Sequence, residues 1–179
     1  MAPPTEIELI LRAKKDPSAF GELYELHFER IYRYVFNQVR IRTDTQDIVA
    51  ETFFKALRAI HSYTPSEKPF AAWLYSIARN CTMDHFRRSR REIVVDNPTW
   101  GGRDLPLEQV EEQELIDRAL QQLTPEQQEV LRLHYLEDMK FRDIARVVNK
   151  TEGAVKALAL RALNRLRLSM AKDGVSSEF

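Results

Sequence analysis

Asp44, Asp47 and Glu51 stand at i, i+3 and i+7, so a helix through them brings three carboxylates onto one face. Their residue types could hold a divalent cation for phosphate hydrolysis. Such a site needs further carboxylates facing the first set, and no other helix expected in the same region supplies a matching pair. His27, His61, His85 and His134 are scattered, with no ligand spacing around the single cysteine, Cys81. No nucleophile beside a base and no glycine-rich phosphate loop appears. The chemistry on offer is recognition, the chain is not expected to be an enzyme, and no cofactor is expected.

The strongest recognition signal is FRDIARVVNKTEGAVKALALRALNRLRL, Phe141 to Leu168. Ile144, Val147 and Val148 define a short amphipathic helix, which Asn149 can end in the left-handed conformation. Thr151 then offers an N-cap to a second apolar series, Val155, Leu158, Ala162 and Leu166. Two helices joined by about three residues describe a helix-turn-helix. From Met139 to Lys172 the net charge is +7, and the second helix exposes Lys156, Arg161 and Arg165. That face suits the major groove of DNA, with its N-terminal residues nearest the base edges. The plainer alternative is a basic hairpin that only packs on its own domain. Lys150 must cover core with its stem while its ammonium stays in water.

Two further rows carry binding chemistry. Phe54 and Arg58 continue the carboxylate row, and an apolar ring among charges suits docking of a basic partner better than a merely solvated face does. Trp73, Ser76, Asn80, Met83 and Arg87 form the second row, close to Arg79, Arg88, Arg90 and Arg91. Tyr63, Phe70, Trp73 and Tyr75 bring four aromatics into the same neighbourhood. Aromatic platforms beside cations suit unpaired nucleic acid, since bases stack while phosphates are neutralised. Periodicity alone does not choose between that platform and a plain hydrophobic core.

These rows need helices to hold them. Thr5 can cap a short helix through Lys15, broken by Asp16-Pro17-Ser18. Phe20, Leu23, Tyr24, Phe28, Ile31, Val35 and Val39 make a long apolar stripe from Ala19 to about Arg40, with Tyr24, Tyr32 and Tyr34 as its rim. Thr43 to Ile60 is a second long helix, opened by a capping box from Thr43 to Gln46 and burying Ile48, Val49, Phe53, Ala56, Leu57 and Ile60. The loop His61 to Pro69 leads to a third helix, Phe70 to about Arg91, with Phe70, Leu74, Ile77, Ala78 and Cys81 inward. Glu92 to Glu114 loses periodicity and reads as an acidic linker. Helix resumes from Leu115 to Leu123. Thr124 caps another helix with Pro125 at its first position, running to Tyr135. Leu120, Leu123, Val130, Leu131, Leu133 and Leu136 would pack beneath the helix-turn-helix. Past Ala171 the tail should be disordered.

The whole chain agrees with this. Five glycines in 179 residues and long helical periods leave little room for a sheet. No apolar run suggests membrane insertion, no signal peptide is recognisable, and one cysteine fits a reducing cytoplasm. The net charge of zero hides an asymmetry: Arg103 to Asp138 carries −7 just before the +7 hairpin. Its distribution argues for a nucleic-acid partner. The competing function is a helix-turn-helix regulator whose N-terminal half senses a ligand or dimerises. That leaves the rows around Asp47 and Trp73 without purpose.

Four stretches in order, AFGELYELHFERIYRYV, DTQDIVAETFFKAL, FAAWLYSIARNCTMDHFRR and LTPEQQEVLRLHYLEDMKFRDIARVVNKTEGAVKALALRAL, resemble bacterial RNA polymerase sigma factors of the extracytoplasmic-function group. The resemblance implies an all-α protein of two small bundles. An N-terminal extension (1–18) precedes region 2 (19–91), the linker (92–114) joins it to region 4 (115–171), and a tail (172–179) follows. It implies that Asp44, Asp47, Glu51 and Phe54 meet the clamp helices of the polymerase β′ subunit, and that region 4 meets the β flap. Tyr63, Lys68, Trp73, Ser76, Asn80, Met83 and Arg87 would read and open the −10 element. Arg142, Thr151, Glu152, Gly153, Lys156, Leu160, Arg161 and Arg165 would serve the −35 duplex. An anti-sigma partner is also implied. In the reading helix, members of the group often carry Arg, Gln or His where this chain has Leu158, Ala159 and Leu160. Ala159 and Leu160 remove polar base-reading groups, which leaves contact to thymine methyls or DNA shape to read the site.

Overall fold

The protein, described by a computed structural model over residues 4–65, 68–92 and 120–172, consists there of helices and their connecting turns, with no strand among those residues. It divides into two compact units, Met1–Asp104 and Leu105–Phe179. The expected linker, most of the helix at 115–123 and the tail beyond Lys172 fall outside the described residues.

The first unit is built from α1 (Glu6–Lys15), α2 (Phe20–Val39), α3 (Arg42–Ala59) and α4 (Phe70–Glu92). Thr5 opens α1 with a full capping box: its hydroxyl accepts from the Glu8 amide while the Glu8 carboxylate accepts from the Thr5 amide. Asp16 turns the chain through a single 3-10 turn into α2. Arg40, at φ 60°, ends α2 in the left-handed conformation. α3 therefore begins directly at Arg42, with Ile41 as its unbonded N-cap. Thr43 is already inside the helix and bonds only its neighbour Asp44, so the expected Thr43–Gln46 capping box does not form.

Leu23, Val35, Ile48, Ala56, Leu74 and Ala78 meet in the centre of this unit, each fully or nearly fully buried. Burying each large aliphatic side chain there contributes about 1.5–3 kcal/mol. Tyr34 corrects the sequence reading. It is core rather than rim, packed edge-on against Tyr75 with ring centroids 5.1 Å apart. Thr45, Thr52 and Thr82 are buried as well, because each hydroxyl donates to the carbonyl four residues back and leaves no polar atom unsatisfied. Cys81 is buried beside them, and burial pushes its thiol up from the ordinary range.

The second unit packs α5 (Pro125–Leu131), α6 (Phe141–Val148) and α7 (Glu152–Lys172). Thr124 and Gln127 form the expected cap, with Pro125 in the first turn. After Leu131 the helix widens into a π turn, Arg132–Leu136, closed by the Glu137 amide donating to the Arg132 carbonyl. The extra residue rotates the chain past the α-helical register. Leu136, expected inside, is thereby turned out, whereas Glu137 and Met139 are buried. Asn149 (φ 54°) ends α6 as its residue type suggests, and α7 runs past Leu168 to Lys172.

Candidate nucleic-acid interface

The outer face of α3 carries the carboxylate row. Asp47 is exposed, and Phe54 stands 59% exposed with the Arg58 guanidinium 5.8 Å from its ring centroid. A phenyl ring held in water under a cation is an apolar contact awaiting a partner. The two flanking acids are tied internally. Asp44 lies 3.3 Å from the His85 imidazole, and Glu51 pairs with Lys55 at 2.7 Å and with Arg88 at 3.9 Å. The hydrogen bond to Glu51 holds the Lys55 ammonium above its ordinary pKa. Sequence spacing placed the four residues on one face, but it missed the internal ties through His85 and Lys55.

Between α3 and α4 lies a cleft of about 510 Å³, lined by Lys55, Trp73, Asn80, Met83 and Arg87 among others. Asn80 is exposed, Met83 is 46% exposed, and the exposed Arg87 guanidinium donates to Asp84 at 2.8 Å. The aromatic platform, in contrast, is interior. Tyr63, Phe70 and Tyr75 are buried, and Trp73 is 8% exposed, so little of its ring reaches the cleft it lines. Tyr63, Phe70 and Trp73 pack on one another with centroids 4.9–5.4 Å apart. Burying three rings together gains more than leaving them for a ligand, and that packing, which periodicity does not encode, decides for the core. Ser76, half-buried, donates to the Trp73 carbonyl.

Tyr63 works as a strut. Its hydroxyl donates to the Lys68 carbonyl at 2.7 Å, and its own carbonyl accepts from the Lys14 ammonium at 2.6 Å. Lys68 itself is half-buried. Burial, with a smaller push from the Glu6 charge, raises the Tyr63 hydroxyl to about 12. The folded chain then keeps this proton to higher pH than the unfolded chain, whose tyrosines titrate near 10. Its stabilisation is whole below about pH 10 and drains away as pH rises through 12. At pH 11 the wild type should have lost about 1.4 kcal/mol that Tyr63→Phe does not lose. Urea unfolding of both proteins at pH 9 and pH 11 measures the difference.

In the second unit the turn between α6 and α7 is fixed at both ends. The Lys150 amide donates to the Ala145 carbonyl at 2.9 Å, and Thr151 Oγ1 accepts from the Ala154 amide at 3.2 Å. Lys150 behaves as its position demands, half-buried along its stem with Nζ 2.9 Å from Glu126. Val155, Ala159 and Ala162 form the inner face of α7. Ala159 is 4% exposed, so it belongs to the core and not to a reading face. Thr151, Glu152, Gly153, Lys156, Leu160, Arg161 and Arg165 are all exposed, as is Arg142 on α6. Lys156 pairs with Glu152 at 2.6 Å, and that bond lowers the Glu152 pKa below the ordinary carboxylate value. Arg142 lies 3.8 Å from Asp143, and Arg161 Nε donates to the Ala157 carbonyl. Among the described residues no cluster of histidine, cysteine and carboxylates could hold a metal ion. Nor is any described helix long and apolar enough to cross a membrane.

The helical bundle with its acid-and-phenylalanine face and the cationic helix-turn-helix unit each match a model from one class of transcription protein. Residues 23–92 match the family model of sigma-70 region 2, and residues 113–166 match that of sigma-70 region 4. The chain belongs to the sigma-70 family. The match over 23–92 also removes the regulator reading, because it makes the N-terminal half a sigma region rather than a sensing domain. The sigma factor BldN of Streptomyces coelicolor is 35% identical over 93% of this chain, which spans 66% of BldN's length. SigM of Bacillus subtilis is 28% identical over 88% of this chain and 98% of its own. Both are extracytoplasmic-function sigma factors, the group to which this chain's likeness runs. Among solved structures, CnrH in complex with the cytosolic domain of CnrY is 25% identical with a TM-score of 0.70, covering 93% of this chain and 97% of CnrH.

Proposed function

We propose that this chain binds core RNA polymerase and directs it to promoters, with the first unit gripping the opened −10 segment and the second the −35 duplex. The observation that carries this is the pairing, within one chain, of an exposed Asp47 and Phe54 face with an exposed cationic helix behind a helix-turn-helix. Asp47 and Phe54 contact the β′ clamp helices, with Asp44 and Glu51 held in place beside them. The second unit meets the β flap. Asn80, Met83 and Arg87 line the path of the melted strand. Trp73 closes the bottom of that cleft, while Tyr63, Lys68 and Ser76 hold its wall in place. Arg142, Lys156, Arg161 and Arg165 follow the −35 phosphates, where Thr151, Glu152 and Gly153 bring the helix N-terminus close. Both functions are binding, so the chain acts without a catalytic residue or cofactor, in the cytoplasm where polymerase works. CnrH is in complex with the cytosolic domain of CnrY, and that likeness supports a protein partner for this chain, which we assign as an anti-sigma factor.

Footprinting of a complex of the chain with core polymerase on promoter DNA tests the reading. Two protected zones are expected, with permanganate-reactive thymines in the downstream one; operator-like protection by the chain alone, unchanged by polymerase, would refute it. Lys156→Ala should weaken upstream binding at all sequences and lower the slope of log K against log salt by about 1. Fluorescence anisotropy across a salt series reads that slope. An unaltered slope would take Lys156 off the phosphate track.

A further inference from the structure

The outward ridge of α7 lies opposite the buried Val155, Ala159 and Ala162, and helical geometry fixes its members: Gly153, Ala157, Leu160 and Asn164, at i, i+4, i+7 and i+11. All four are exposed, and Leu160 is 61% exposed. Cations flank the ridge on both sides, Lys156 and Arg167 along one and Arg161 and Arg165 along the other. The ridge spans about 16 Å, roughly the rise of five base pairs. Its first three side chains are a hydrogen, a methyl and an isobutyl group. None can donate or accept a hydrogen bond.

The flanking groups that could read bases are partly engaged. Glu152 is held by Lys156 at 2.6 Å, and Arg161 Nε is turned back onto the Ala157 carbonyl at 3.2 Å. Gly153 adds a second sign. A methyl placed there would meet no packed neighbour within 4 Å, and its backbone is ordinary helix. Glycine weakens a helix relative to alanine, so the fold itself has no use for one at this position. What the missing methyl provides is room for another molecule to approach the backbone.

In the major groove the thymine C5-methyl is the apolar feature that distinguishes one base pair from another. We propose that α7 reads its −35 duplex by methyl contact: Ala157 and Leu160 lie over thymine methyls on neighbouring base pairs, and Gly153 lets the helix sit deep enough to reach them. This rests on the assignment of the second unit to the −35 duplex. The cations on either side supply affinity without sequence preference, and Asn164 is the ridge residue able to bond a base edge, with adenine its natural partner. The preferred site is accordingly rich in thymine where Ala157 and Leu160 fall, and cytosine, which has no methyl, is the base they reject.

The test uses core polymerase bound to the full chain and duplexes selected from a pool randomised across the −35 segment. Thymines should be enriched at neighbouring positions. Replacing one such thymine by deoxyuridine deletes the methyl and keeps the pairing, and should weaken binding about three- to fivefold. In Leu160→Ala holoenzyme that penalty should vanish at one position and persist at the other. Leu160→Gln should move the preference at that position toward adenine. If deoxyuridine is tolerated everywhere while Lys156→Ala still weakens the upstream footprint, methyl reading is wrong and the −35 assignment stands. If the wild type gives no upstream footprint, the assignment fails first. If Leu160→Ala lowers assembly with core polymerase and leaves base preference intact, the ridge docks protein and the proposal is overturned.

Discussion

Asp47→Arg should reduce affinity for core RNA polymerase by about a hundredfold or more, because a like charge set against a basic partner costs several kcal/mol. The free chain should be indifferent to the change. Asp47 is exposed, and surface substitutions away from packed features alter stability by no more than about 0.5 kcal/mol. Phe54→Ala tests the apolar half of the same contact, losing about 1.5–3 kcal/mol of burial on binding without touching the fold. Pull-down or gel filtration with core polymerase, alongside circular dichroism of the free variant, separates the two effects. A variant that assembles normally would mean that the clamp contact lies elsewhere.

Trp73→Ala carries the second large expectation, a loss of stability, because the ring is interior packing and not an exposed platform. Trp73 packs between Tyr63 and Phe70 with its own surface 8% exposed. Truncating a buried tryptophan costs about 3–5 kcal/mol, a large share of the stability of so small a bundle. Chemical denaturation should therefore show the first unit unfolding at much lower urea, and any promoter defect would follow from that loss. An exposed stacking platform would behave otherwise: stability would hold within about 0.5 kcal/mol and strand opening alone would suffer. Trp73→Phe keeps most of the packing, so it isolates what the indole edge contributes to the cleft.

The helices were legible because their signals are local. Thr5 with Glu8, Thr124 with Gln127, and Asn149 before Thr151 each fix an end through neighbours in sequence, and each behaves as its residue types suggest. The failures have a common cause in packing that periodicity does not encode. Tyr34, Tyr63 and Tyr75 have amphipathic side chains that fit rim and core equally well, and only the facing rings decide. Leu136 was misplaced because one extra residue in the π turn shifts every position after it. The Thr43 cap does not form because Arg40 turns left-handed and moves the N-cap of α3 two residues earlier, to Ile41. Ala159 reads as a surface substitution in sequence and is an inner-face residue in the helix. Asp47, Phe54 and the α7 cations stand exposed while Asp44 and Glu51 are half-buried in ion pairs, and the aromatics were claimed by the interior.

On the proposed function, two small bundles become useful only when mounted on polymerase. Run-off transcription with purified chain and core enzyme on a promoter library is the decisive measurement. Transcripts of fixed start, dependent on both units, are expected from a subset of templates sharing a −10 and a −35 segment, and none from core enzyme alone. Folded chain that leaves core enzyme without any specific start across the library would contradict it.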